Sequence, residues 1–374
     1  MADDRLVNLA RILVEYSTEI KPQDHVAIYA QPVAMPLVEQ VYRQVLAAGG
    51  YPYVQLGALS SRVETEALEY LLFTEGSDDQ IQHVNRFDKI IREEFESFIA
   101  IYSQTNTRTL SEVDPGKQRL RAQAYSDVTR IYQQRSATRD LRWSLTLYPT
   151  EAYAQDAEMS LQEFSDYVFQ TTFADSDDPV AEWLKVRREQ QRLVDWLKGK
   201  KRLEVKGPNV DLRLSIEGRD FLNSDGTRNM PSGEIYTSPV EDSVEGWVRF
   251  SYPAIRQSRE VEGIELTFEA GKVVKATAAK NEEFLNNMLD TDAGARRLGE
   301  FAIGTNKRID RFIKNILFDE KIGGTIHMAV GFGFPEAGSK NESAIHWDMI
   351  CDMREGGQIL ADGELFYEAG EFII

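Results

Sequence analysis

Apolar positions recur at helical spacing at the start of the chain, with Leu6, Leu9, Ala10, Leu13 and Val14 predicting an amphipathic helix. The short apolar run HVAIYA (His25 to Ala30) then reads as a strand. VAMPLVEQVYRQVLAAGG follows as a helix closed by Gly49 and Gly50, and YPYVQL as a second strand. Strand, helix, strand in that order predicts a parallel α/β unit, since parallel neighbours need a crossover. Helical pattern is expected from about Glu64 into the 90s, then a strand at FIAIYS and, after the turn SEVDPGKQ and another helix, a strand at RWSLTLYPT. SLQEFSDYVFQTTF and DPVAEWLKVRREQQRLVDWLKGK read as helices, the basic Lys198–Arg202 cluster suiting the negative end of the second one's dipole.

From Lys201 the texture changes to short alternating strands with glycine turns: RLEVKGP, DLRLSIEG, EGWVRFSYPA, IELTFEAGKVVKATAA and TIHMAVGFG. One helical stretch, NEEFLNNMLDTDAGARRLGEFA, is expected to interrupt them. The pattern therefore predicts an N-terminal α/β domain with parallel strands, residues 1–195, and a mixed, β-rich α+β domain, residues 196–374. Two domains also suit 374 residues, more than one core usually supports.

Composition narrows the function. With 61 acidic against 43 basic residues the formal charge is −18, which argues against nucleic acid or an anionic membrane as partner. A single cysteine, Cys351, allows no internal disulfide, and no stretch reads as a secretory signal or membrane span, so a cytoplasmic location is expected.

Four histidines occur, and His25 and His83 read as structural. His327 and His346 interrupt apolar strands with only eighteen residues between them. In SAIHWDMICD, His346 and Asp348 share one strand face, with Asp352 further along it, while Ile345, Trp347, Met349 and Cys351 turn to the core. If the His327 strand is its neighbour, two imidazoles and a carboxylate meet, a ligand set for zinc, cobalt, manganese or ferrous iron. The alternative for an isolated His-x-Asp is a solvated hydrogen-bonded pair. Glu234 lies in a loop bracketed by Pro231, Gly233 and Pro239, and Glu300 between Leu298 and Phe301 at an expected helix end; spacing alone brings neither to the histidines.

NMPSGEIYTSP, RRLGEFAIGTN, ILFDEKIGGTIHMAVG and SAIHWDMICD, taken in that order, resemble the aminopeptidase T family of thermophilic leucyl-type metalloaminopeptidases. HVAIYAQPVAMPLVEQVYRQVLAAGGYPYVQL and YPTEAYAQDAEMSLQEF extend the resemblance into the first domain. It implies two divalent ions per chain, cobalt, zinc or manganese, with Glu234, Glu300, His327, His346 and Asp348 as ligands. It also implies short peptides with a free N-terminus as substrates, and homodimers around an internal cavity. Five N/O donors exceed what one open zinc site uses and suit two ions sharing a carboxylate. Two departures stand out: Gly233 replaces a carboxylate beside Glu234, and Phe334 replaces a tyrosine seven residues after the first ligand histidine. That leaves the general base open, with Glu336 as a nearby candidate. The runner-up reading is a mononuclear iron dioxygenase using only His327, His346 and Asp348, and a third is a non-catalytic peptide- or metal-binding relative.

Overall fold

In a computed structural model, residues 3–57, 65–256 and 259–374 are described. The expected helix start at Glu64 lies outside them. Two compact units result: residues through Trp183 together with Gly226–Pro231, and Leu184–Asp225 together with Ser232–Ile374.

The first unit is built on a parallel sheet of β1 (His25–Ala30), β2 (Tyr51–Leu56), β3 (Ser97–Tyr102) and β4 (Arg142–Leu147), in the order β2-β1-β3-β4. Strand β1 is apolar almost throughout because a parallel sheet is covered on both faces. Gly49, with φ of 83°, ends the Met35–Ala47 helix as the sequence predicts. Where one long helical pattern was expected into the 90s, three helices form, Glu66–Glu75, Asp78–Gln82 and Arg86–Glu94. Ser77 and Asn85 restart the chain as N-caps, accepting hydrogen bonds from Gln80 N–H and Phe87 N–H.

The second unit is β-rich. An eight-stranded antiparallel sheet runs in the spatial order Lys272–Thr277, Glu265–Glu269, Glu245–Arg249, Val210–Ser215, Arg202–Gly207, Gln358–Ala361, Glu364–Glu368, Glu371–Phe372. A five-stranded antiparallel sheet runs His346–Asp352, Thr325–Gly331, Leu298–Gly304, Glu234–Thr237, Leu222–Ser224. Alternation decides what lies between them. Leu203, Val205, Leu212, Val248, Leu266 and Phe268 of the first sheet pack in one core with Ile235, Phe301, Ile303, Ile326, Met328, Trp347 and Met349 of the second. Replacing Ile303 with valine removes one buried methylene. It is expected to cost about 1 kcal/mol in denaturant melts without altering metal content, because Ile303 points into this core.

One expectation is corrected here. The helix predicted through Asn281–Ala302 stops at Leu289, and Leu298–Gly304 is a fully buried central strand. Asp292 ends the helical pattern by accepting hydrogen bonds from the Gly294 and Ala295 N–H groups, both at 2.9 Å. Glu300 therefore sits in the middle of a sheet. Gly299 makes a bulge in this strand, since Leu298 pairs Val330 while Glu300 pairs Ala329. The extra residue lets Leu298 and Phe301 both face the core while Glu300 faces the other way. A Cβ at position 299 would lie 2.1 Å from the Phe332 carbonyl oxygen, so only glycine fits.

A candidate metal centre on the five-stranded sheet

Register brings the acidic and imidazole side chains to one face. His327 lies opposite Ala302 on one side and Ile350 on the other; Asp348 lies opposite Ala329, and Glu234 opposite Gly304. Glu300 and His346 fall on the same face by the period of two. Between the functional side chains this face carries the small residues Ala302, Gly304 and Ala329, with Ile350 beside His327. The opposite face carries Ile235, Phe301, Ile326, Met328, Trp347, Met349 and Cys351 into the core, as the sequence of the His346 strand predicts.

Distances show a convergent cluster. His327 Nε2 lies 3.2 Å from Glu234 Oε2 and 3.7 Å from Glu300 Oε1. His346 Nε2 lies 3.2 Å from Glu300 Oε2 and 3.4 Å from Asp348 Oδ1. The two oxygens of Glu300 thus turn to different histidines. Possible donor atoms fall into three groups, each within 4.8 Å: Glu234, Glu300 and His327; Glu300, His346 and Asp348; Glu320, His327 and Asp348. Two of these groups share Glu300. His346 Nδ1–H donates to the Phe332 carbonyl oxygen at 2.8 Å, which fixes the ring and turns Nε2 toward the carboxylates.

Asp352 does not join them. At the end of its strand it is held by Arg354 and Tyr252. His25 is exposed at the start of β1 beside Glu96, and His83 is an exposed helix C-cap.

Glu320 and Lys321 were not singled out in the sequence, where Asp319-Glu320-Lys321 resembles a solvated charge run. The signal available was their setting, ILF before them and an isoleucine and two glycines after. Lys321 is fully buried and donates to Glu234 Oε1 at 2.6 Å and to Glu320 Oε1. Glu336, the base suggested by proximity in sequence, is exposed on a short turn, Pro335–Ala337.

The electrostatics fit a cation. Four carboxylates, those of Glu234, Glu300, Glu320 and Asp348, gather around the two imidazoles with one ammonium, Lys321, bonded to Glu234 and Glu320, and like charges this close need a counter-charge. Protons on the imidazoles serve that purpose here: burial opposes charging of His327, but the hydrogen bond to Glu300 and the Glu234 and Glu300 charges push it up to about 9. His346 is likewise raised, burial being outweighed by Asp348 and Glu300. Burial raises Glu320 to about 7 against the pull of Lys321. Glu234 Oε2, Asp348 Oδ1 and His327 Nδ1 are buried yet make no hydrogen bond, although the first two lie near imidazole nitrogens. Buried orphans of this kind call for a partner, and carboxylate and imidazole donors suit a divalent ion.

Gly233 explains one departure. Its φ of 122° suits glycine, and a Cβ there would lie 2.7 Å from Asn306 Cβ, so a carboxylate at this position has no space. The turn is fixed by Thr305 N–H donating to the Gly233 carbonyl at 2.9 Å and by Gln190 Nε2 donating to the Glu234 carbonyl at 3.1 Å. At the second departure, the Phe334 ring stands edge-on to His346 at 5.3 Å and to Tyr236 at 5.1 Å.

Residues 2–372 match the family model described as thermophilic metalloprotease, M29. The chain belongs to the M29 metalloprotease family. This metalloprotease is 29% identical to aminopeptidase 2 of Geobacillus stearothermophilus over 362 residues, 89% of this chain and 84% of that protein. It is 31% identical to aminopeptidase T of Thermus thermophilus over 240 residues, 57% of each. Its fold matches that of wild-type AmpT from Thermus thermophilus with a TM-score of 0.85 over 99% of both chains, at 23% identity. A 2,5-dihydroxypyridine dioxygenase from Pseudomonas putida shares the fold more distantly, with a TM-score of 0.60 at 13% identity. The dioxygenase reading of this metalloprotease is not favoured: it leaves Glu234 and Glu300 as bystanders, yet both converge on His327.

Proposed function

We propose that this metal-dependent aminopeptidase removes leucine-type N-terminal residues from short peptides, using two divalent ions held by Glu234, Glu300, His327, His346 and Asp348. The observation that carries the reading is Glu300, whose two oxygens face two separate imidazoles and which belongs to two of the three donor groups. Cobalt or zinc, and manganese after them, suit these donors. Ions bound there would polarise a peptide carbonyl and acidify water. Residues 196–374 form the catalytic part and residues 1–195 the accompanying α/β domain. The working form is a cytoplasmic homodimer, in line with the resemblance noted in the sequence and with a single buried cysteine, Cys351; no helix among the described residues is long and apolar enough to cross a membrane.

The chain's own groups divide the remaining work. Lys321 neutralises part of the carboxylate charge and fixes Glu234 in place. Glu320, held by Lys321 and grouped with His327 and Asp348, acts as the general base, taking a proton from water and returning it to the departing amine. The centre opens on one side, since the His346 side chain is 28% exposed while those of Glu234, Glu300 and His327 are at most 6% exposed. Peptide enters there, past Phe334.

Metal-loaded protein is expected to release leucine from Leu-Gly and Leu-Gly-Gly, and to leave N-acetylated forms intact. Amino-acid analysis after cobalt or zinc loading tests this, and cleavage of the acetylated peptides at equal rates would overturn it. Chelation is expected to lower Tm, because the carboxylates lose their counter-charge. At a thousandfold excess of metal over Kd the linkage amounts to about 4 kcal/mol. Calorimetric scans before and after chelation, and again on reloading, read it.

A further inference from the structure

Arg256 ends the short strand Ala254–Arg256, which packs beside the His346 strand. Its Nη1–H donates to the His346 carbonyl oxygen at 2.6 Å. Its Nε–H is buried and makes no hydrogen bond, and among the described residues no carboxylate forms an ion pair with it. Other arginines of the same unit are matched: Arg219 with Glu241 at 2.6 Å, Arg249 with Glu265 at 3.0 Å, Arg354 with Asp352. A half-buried guanidinium with no ion-pair partner is costly, because its charge is desolvated and only part of its planar fork is used. Burial accordingly pulls the group below its ordinary pKa, against the charge of Asp348. The missing partner is therefore an anion that arrives from outside.

We propose that Arg256 is a specificity residue whose guanidinium receives the C-terminal carboxylate of a dipeptide or tripeptide. The inference rests on the aminopeptidase reading, which puts the substrate's free amine and first carbonyl among the centre's carboxylates and imidazoles. Arg256 is anchored to the backbone of His346, a residue of that centre. A peptide extends about 3.3–3.6 Å per residue, so only a chain of two or three residues keeps its C-terminal carboxylate close to a group anchored on a residue of the centre. A bidentate arginine–carboxylate pair then favours short free acids over amides and over longer chains.

The experiment compares Leu-Gly with Leu-Gly-amide, and uses leucine p-nitroanilide, which has no carboxylate, as internal control. In the cobalt-loaded protein, kcat/KM for the acid is expected to exceed that for the amide by about 10- to 100-fold. In Arg256→Gln the ratio is expected to fall toward one, through KM, while anilide hydrolysis and metal content change by less than about twofold. Arg256→Lys, which keeps charge without the fork, is expected to fall between, and decides the matter if the glutamine variant loses its ions. Calorimetric binding of the reduced-bond isostere of Leu-Gly, as acid and as amide, gives the same ratio without turnover. An unchanged acid-to-amide ratio in both variants, or no preference in the parent, overturns the proposal. If the parent hydrolyses nothing but its isostere preference disappears with Arg256, the assignment stands and the aminopeptidase reading falls.

Discussion

Replacing Glu300 with glutamine is expected to reduce kcat/KM by about 10⁴-fold, equivalent to about 5 kcal/mol of transition-state stabilisation, and to cut the metal content below the two ions proposed above. Size is conserved and the strand is central, so the change is in charge and donor power. Each oxygen of Glu300 faces a different imidazole, at 3.7 and 3.2 Å. An amide offers one good acceptor oxygen and turns an NH₂ toward the other side. Both donor groups that share Glu300 are therefore damaged by one substitution, which no other member of the cluster can do. Elemental analysis alongside kinetics checks this. Full retention of two ions would show that Glu300 does not bridge.

Glu320→Gln is the complementary experiment, with metal retained and chemistry lost. Removing a positioned general base costs typically 10²–10⁴-fold, and the loss is expected in kcat with KM little changed. Lys321 keeps its 2.6 Å hydrogen bond to Glu234, so the buried ammonium is not stranded. Loss of an ion from this variant would instead make Glu320 a ligand.

How much of this was legible in the sequence follows from the range of each interaction. Strands such as His25–Ala30 and Arg202–Gly207 are set by local apolar pattern, and they form where the pattern puts them. The two faces of His346–Asp352 were readable for the same reason, because a period of two is local. The strand through Glu300 was not. Every position in Leu298–Gly304 is buried, so no alternation marks it, and the bulge at Gly299 shifts its phase. The meeting of Glu234 and Glu300 with the histidines depends on the spatial order of strands far apart in the chain, and only resemblance to a family pointed to it. Glu320 and Lys321 were hidden by chemistry: adjacent opposite charges usually face water, and burial here follows from Glu234, 87 positions away.

The bulge at Gly299 reaches further than its own strand. The bare α-carbon lets the peptide of Phe332 settle against it, and the carbonyl of that peptide is what steadies the imidazole of His346. A methyl group at position 299 would displace the carbonyl and swing a ring it never touches. The aim of one donor is thus set from the strand that carries another, and the two halves of the centre are geared together through a glycine.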